Sequence, residues 1–178
     1  MSRLLIFSVL FALSIGSAKA LPSDEQFEAL RTAPSPQHAA SIEDDILIAM
    51  LESGSPTADL VMERAIMAEN AGELELAREL IDRVLMIRPG FSEAWLHRAM
   101  IFLSDEAYDQ AIQDLNEALT HEPRNYRAWL ALGRIFTEFE RDKEALTAYR
   151  EVLKIHPHNE IAKSEVRRLA PKVEGRAI

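Results

Sequence analysis

The sequence predicts an all-α solenoid of three helix–turn–helix units, and three observations carry that expectation. Pro89, Pro123 and Pro157 stand 34 residues apart. Trp95 and Trp129 keep the same 34-residue interval. No stretch alternates apolar and polar residues with the period of two that a half-buried strand requires. A fixed period of this length marks a small helical unit that cannot bury its apolar face alone and stacks on its neighbours.

The chain opens on a different object. Residues 1–20 carry Arg3, an apolar run from Leu4 to Ile15 and the small-x-small triplet Ala18-Lys19-Ala20. That order is the pattern of a secretory signal peptide cleaved near Ala20. An uncleaved anchor is the competing reading, but the run falls short of the ~20 residues that span a bilayer. The mature chain is expected in the periplasm without a stable membrane anchor, with release from the cell as the alternative. Cysteine is absent, which removes both a lipid-attachment site and a disulfide framework. The net charge of −9 becomes −11 without residues 1–20, which hold Arg3 and Lys19 and no acid. So acidic a chain is a poor match for nucleic acid or an anionic membrane surface.

Residues 21–57 read as an N-terminal helical pair. Ser23 starts a short helix with Phe27 and Leu30 on one face, and Pro34 and Pro36 break it. Ser35 caps a second helix, with Pro36 at its first position and Gly54 as its stop. Ala39, Ile42, Ile46 and Met50 recur along it at helical spacing. The pair is expected to be a degenerate or capping unit that packs on the first repeat.

The three units are residues 58–91, 92–125 and 126–159. Their eighth positions are Ala65, Ala99 and Gly133, and their twentieth are Ala77, Ala111 and Ala145. The twenty-fourth positions hold the larger Ile81, Leu115 and Tyr149. Small residues let two helices approach, and large ones fill the space a turn away. Pro89, Pro123 and Pro157 stop each second helix. After them, residues 160–178 supply a final helix, with Ile161, Val166 and Leu169 on one side and Pro171 as its end, followed by a frayed tail.

This pattern, 102 of 178 residues without an insertion, resembles the tetratricopeptide repeat family. With the stretch 42–65 and the basic tail, the chain is also similar to small exported repeat proteins of alphaproteobacteria. The family resemblance implies a concave groove lined by the first helix of each unit, where a partner segment lies. Carried over by position, the groove comprises Met62, Ile66, Glu69, Leu96, His97, Met100, Leu103, Arg127, Leu130 and Arg134, with Glu93 also on this side. Met62, Ile66, Leu96, Met100 and Leu130 are the expected apolar anchors, with Arg127 and Arg134 steering acidic groups. The family's variant that clamps a terminal carboxylate uses Lys and Asn where this chain has Met62/Ile66, Leu96/Met100 and Leu130/Arg134. Binding of that type is not implied. The competing occupant of the groove is the chain's own N-terminal helical pair.

No nucleophile elbow, phosphate loop or zinc motif occurs. His156-Pro157-His158 is read as two solvated side chains beside a closing proline, since a metal needs three or four converging ligands. No catalytic residue, metal or cofactor is expected. Arg98 and Asp114 lie on facing helices of one unit and are expected to form a partly buried ion pair. The functional expectation is a non-catalytic protein-interaction module of the cell envelope. The alternatives are an accessory subunit of an envelope or cell-wall enzyme, and a homodimer formed through the groove.

Overall fold

The structure, a computed structural model, describes residues 22–175. Residues 1–21, where the signal peptide is expected, and the last three residues lie outside them. Among the described residues there are nine helices and no strand, and no helix is long and apolar enough to cross a membrane. They are α1 (Asp24–Arg31), α2 (Pro36–Met50), α3 (Pro56–Asn70), α4 (Leu74–Ile87), α5 (Ser92–Ser104), α6 (Tyr108–His121), α7 (Tyr126–Glu138), α8 (Asp142–Ile155) and α9 (Glu160–Val173). Helices α3 to α8 form three antiparallel pairs, each first helix packing on the second helix of the pair before it.

The sequence specifies the starts of α3, α7 and α9 locally, whereas α5 starts after Phe91 without a side-chain cap. Ser55, Asn125 and Asn159 accept hydrogen bonds from the backbone amides of Ala58, Ala128 and Ala162, satisfying donors that a helix start leaves free. The tryptophan spacing has a direct cause. Trp95 Nε1 donates to the Pro89 carbonyl at 2.6 Å, and Trp129 Nε1 donates to the Pro123 carbonyl at 3.0 Å. Each indole therefore pins the first turn of its unit to the closing proline of the preceding one. Ala65, Ala77, Ala99, Ala111 and Ala145 are fully buried at the helix contacts. Gly133 answers Tyr149: a Cβ there would stand 2.7 Å from the Tyr149 ring, whereas the other two units set alanine against Ile81 and Leu115.

The N-terminal pair does not pack on the first unit. Phe27, Leu30, Ala39, Ile46 and Met50 share one core with Tyr126, Leu146, Tyr149, Ala162 and Leu169 of α7, α8 and α9. The pair lies along the edge where the proline turns gather. Arg124 donates to Asp24 at 2.6 Å and covers the Phe27 ring, and His158 Nε2 lies 2.8 Å from the Ala33 carbonyl oxygen. Tyr126 donates to Glu43 at 2.6 Å. Phe27 and Leu30 are thereby buried, each worth about 1.5–3 kcal/mol. Two helix ends also differ from expectation. Met50 ends α2, with Leu51 as its C-cap, because Ser53 turns away to bond Asp59 at 2.7 Å. Pro171 does not end α9: the helix runs to Val173, and Glu174 is held by Arg150 at 2.6 and 3.0 Å. A proline in a last turn removes one backbone donor, and this ion pair offsets the loss.

Candidate functional site

The first helices α3, α5 and α7 bring the ten groove positions onto one face of the array, but not all of them are open. Met62 and Leu96 are 1% and 2% exposed, so they form the floor rather than free anchors. Hydrophobic burial against the adjacent helices claims them first. Met100 is 44% exposed, and Leu103 and Leu130 are partly buried beside it. Two adjoining hollows of about 270 Å³ each meet at Leu96, Met100 and Arg127. One extends over Glu69, Leu74, His97 and Ser104, the other over Leu103, Leu130, Ala131 and Arg134. A third hollow, of about 190 Å³, lies over Met62, Ile66 and Met67. No residue of α1 or α2 lines the first two, so the N-terminal pair leaves them open, while Leu51 at the end of α2 borders the third.

A polar network beneath the groove changes the role of its charges. Glu93, expected at the surface, is 1% exposed. It accepts from Asn125 Nδ2 at 2.9 Å and from Arg127 at 2.8 Å, and His97 Nε2 lies 4.0 Å away. Burial raises the Glu93 pKa, against the opposing pull of Arg127 and His97. Arg127 is therefore held by an internal carboxylate and does not steer a partner. Arg134 is exposed and makes no ion pair among the described residues. His97 Nδ1 lies 2.7 Å from Glu69 Oε2, while the buried Glu69 Oε1 has no hydrogen-bond partner. Position alone could not find this network. Its one sequence signal is Asn125, which caps α7 and reaches the preceding unit with the same side chain.

Arg98 and Asp114 meet through two hydrogen bonds, Nε to Oδ2 at 2.7 Å and Nη2 to Oδ1 at 2.8 Å. Arg98 also reaches Asp82 of the preceding unit at 2.7 Å and stacks on Trp95. These carboxylates hold the guanidinium pKa above its ordinary value, against burial. The histidines beside Pro157 are not the solvated pair expected. His156 is 5% exposed, with Nε2 3.5 Å from Glu43 and its ring edge-on to Tyr126. Among the described residues, no group of three or more His, Cys, Asp or Glu is placed to hold a metal.

Comparison with known proteins gives a consistent result. Residues 96–160 match the family described as tetratricopeptide repeat. Over 152 residues the chain is 28% identical to a TPR repeat-containing protein of Rhizobium etli, covering 85% of this chain and 74% of that one. The TPR domain of Arabidopsis OM64 superposes with a TM-score of 0.60 at 25% identity, over 66% of this chain and 97% of the domain. The first TPR domain of Spaghetti (RPAP3), solved with the HSP90 peptide SRMEEVD bound, gives a TM-score of 0.60 at 20% identity, over 66% and 93%.

Proposed function

We propose, from the premise that the chain is a tetratricopeptide repeat protein, that it is a non-catalytic module holding a segment of another protein in its concave groove. The observation that carries this is the joined pair of hollows over Leu96. Their walls are Met100, Leu103 and Leu130, and their far end is Arg134. An incoming segment with apolar side chains in the middle and an acid toward Arg134 would satisfy both. Methionine and leucine walls adapt to such a segment.

The RPAP3 domain was solved with a peptide bound, which supports a protein as the class of partner. The positions that would clamp a terminal carboxylate are Leu96, Met100, Leu130 and Arg134, so we propose recognition of an internal segment rather than a chain end. The pattern of residues 1–20 supports a working place in the bacterial envelope.

The test is a photoreactive residue at Met100 in living cells, with the adduct identified by mass spectrometry. A single foreign envelope protein is expected, lost on adding Leu103→Glu and Arg134→Glu. Leu96 is unsuitable for this purpose, because its burial would make Leu96→Glu a folding variant. Adducts confined to the same chain would sink the reading.

A further inference from the structure

The second and third units finish one feature differently. In the second unit the Arg98 guanidinium lies 4.7 Å from the centre of the Trp95 ring and 6.0 Å from that of Phe102. Asp114 and, from the preceding unit, Asp82 hold it there. The third unit repeats both aromatic residues at the same positions, as Trp129 and Phe136. It has Leu132 in place of Arg98 and Ala148 in place of Asp114, and the preceding unit offers Asn116 in place of Asp82. Leu132 is buried in the core shared with the second unit and stops short of the space beside the two rings. An open hollow of about 270 Å³ is left, lined by Trp129, Phe136, Lys143, Glu144, Thr147 and Ala148. None of these residues lines the two hollows over Leu96.

Charge decides what fits there. A guanidinium would find neither of the carboxylates that hold Arg98. Glu144, the acid among the lining residues, is engaged by Arg141 at 3.0 and 3.1 Å, and the same Arg141 covers the Phe136 ring at 4.6 Å. Lys143 stands where the second unit has Asp109. It is exposed and makes no ion pair among the described residues. The third unit has therefore exchanged an acidic surround for a basic one. Its two aromatic walls favour a flat apolar group stacked or edge-on against them, and the ammonium at their edge favours an anion beside that group.

We propose that this hollow is a second docking site, separate from the groove, which takes an aromatic side chain of a partner protein whose neighbouring residue is acidic. The aromatic side chain enters the space between Trp129 and Phe136 that a guanidinium takes one unit earlier. The acid beside it pairs with Lys143. A partner's arginine, which the shape alone would admit, is rejected by the basic surround.

Nuclear magnetic resonance titration of protein purified from cells expressing the full chain tests this, with two capped dipeptides as probes: acetyl-Phe-Glu-amide and acetyl-Phe-Lys-amide. The Trp129 indole N–H and the backbone amides of residues 143–148 should shift and saturate with the acidic peptide, while the Trp95 indole stays in place. The basic peptide should bind about fivefold more weakly, an exposed attraction having become a repulsion. Lys143→Glu, at an exposed position, should invert that preference at unchanged far-ultraviolet helicity. Leu132→Arg with Ala148→Asp, which copies the second unit, should fill the hollow and abolish the shifts. If that double variant does not fold, the inversion by Lys143→Glu decides. No saturable shift at Trp129, equal affinity for the two peptides, or shifts confined to Met100, Leu103 and Arg134 of the groove would each overturn the assignment.

Discussion

At the seventh and twenty-third positions, the second and third units fill the same space with different chemistry. The second unit sets Arg98 against Asp114, which is 3% exposed; the third sets Leu132 against Ala148, both 2% exposed. A buried ion pair contributes little over a well-packed apolar pair, but removing one partner strands a desolvated charge. Arg98→Leu is therefore expected to cost about 3 kcal/mol, and Arg98→Leu with Asp114→Ala, which copies the third unit, about 1 kcal/mol or less. Urea unfolding of the four proteins in the cycle measures both. The pair was legible in the sequence because Arg98 and Asp114 fall at facing positions of one antiparallel hairpin. Asp82 was not, since a single unit's period says nothing about which side chain its neighbour extends across the junction. Glu93 was misplaced for a related reason: its position faces the groove, but Asn125 and Arg127 of the next unit close over it.

At the scale of one hairpin, the turn between paired helices demands a left-handed residue at the fifteenth position. The first unit supplies Gly72 at φ 78°, whereas the other two place Glu106 at φ 58° and Glu140 at φ 54°. A side chain with a Cβ is strained there, roughly 1–2 kcal/mol, and glycine is not, although glycine has more unfolded-state entropy to lose. Glu106→Gly and Glu140→Gly should each raise stability by about 0.5–1 kcal/mol, read from the thermal or urea midpoint. Helix starts were legible at α1 and α2 because Ser23 and Ser35 announce them chemically. Helix ends were less so. Pro171 reads as a stop until the ion pair between Arg150 and Glu174, 24 residues apart in sequence, holds the last turn in place.

The whole molecule differs most from its sequence in the docking of α1 and α2. Their amphipathic pattern identifies them as helices with a face to bury, but an apolar stripe carries no address. The address is written in single polar residues of the last two units, Arg124, Tyr126, His156 and His158. One of them is pH-sensitive. Burial holds the His156 pKa below its ordinary value, opposed by Glu43 and assisted by the nearby His158 and Lys163. The unfolded chain therefore binds the proton more readily, and stability rises with pH across that interval. The contribution is complete above the ordinary histidine pKa of about 6.5 and is lost as the pH falls below it. His156→Gln should flatten this part of the profile, measured as the shift in urea midpoint between about pH 7.5 and about pH 5. An acid-side loss equal to that of the wild type would refute the assignment.

The same docking has a bearing on how the chain is made. Stacked repeats touch only their neighbours and can fold in order as they emerge from the ribosome. Here Asp24 waits for Arg124, 100 residues later, Glu43 for Tyr126, 83 residues later, and Ala33 for His158, 125 residues later. The first helices synthesised are thus among the last to find their place, and Phe27 and Leu30 stay uncovered until the third unit exists. Contacts of such long sequence separation slow folding. They also fasten α1 and α2 to the far end of the array, so that the third unit cannot open without releasing them.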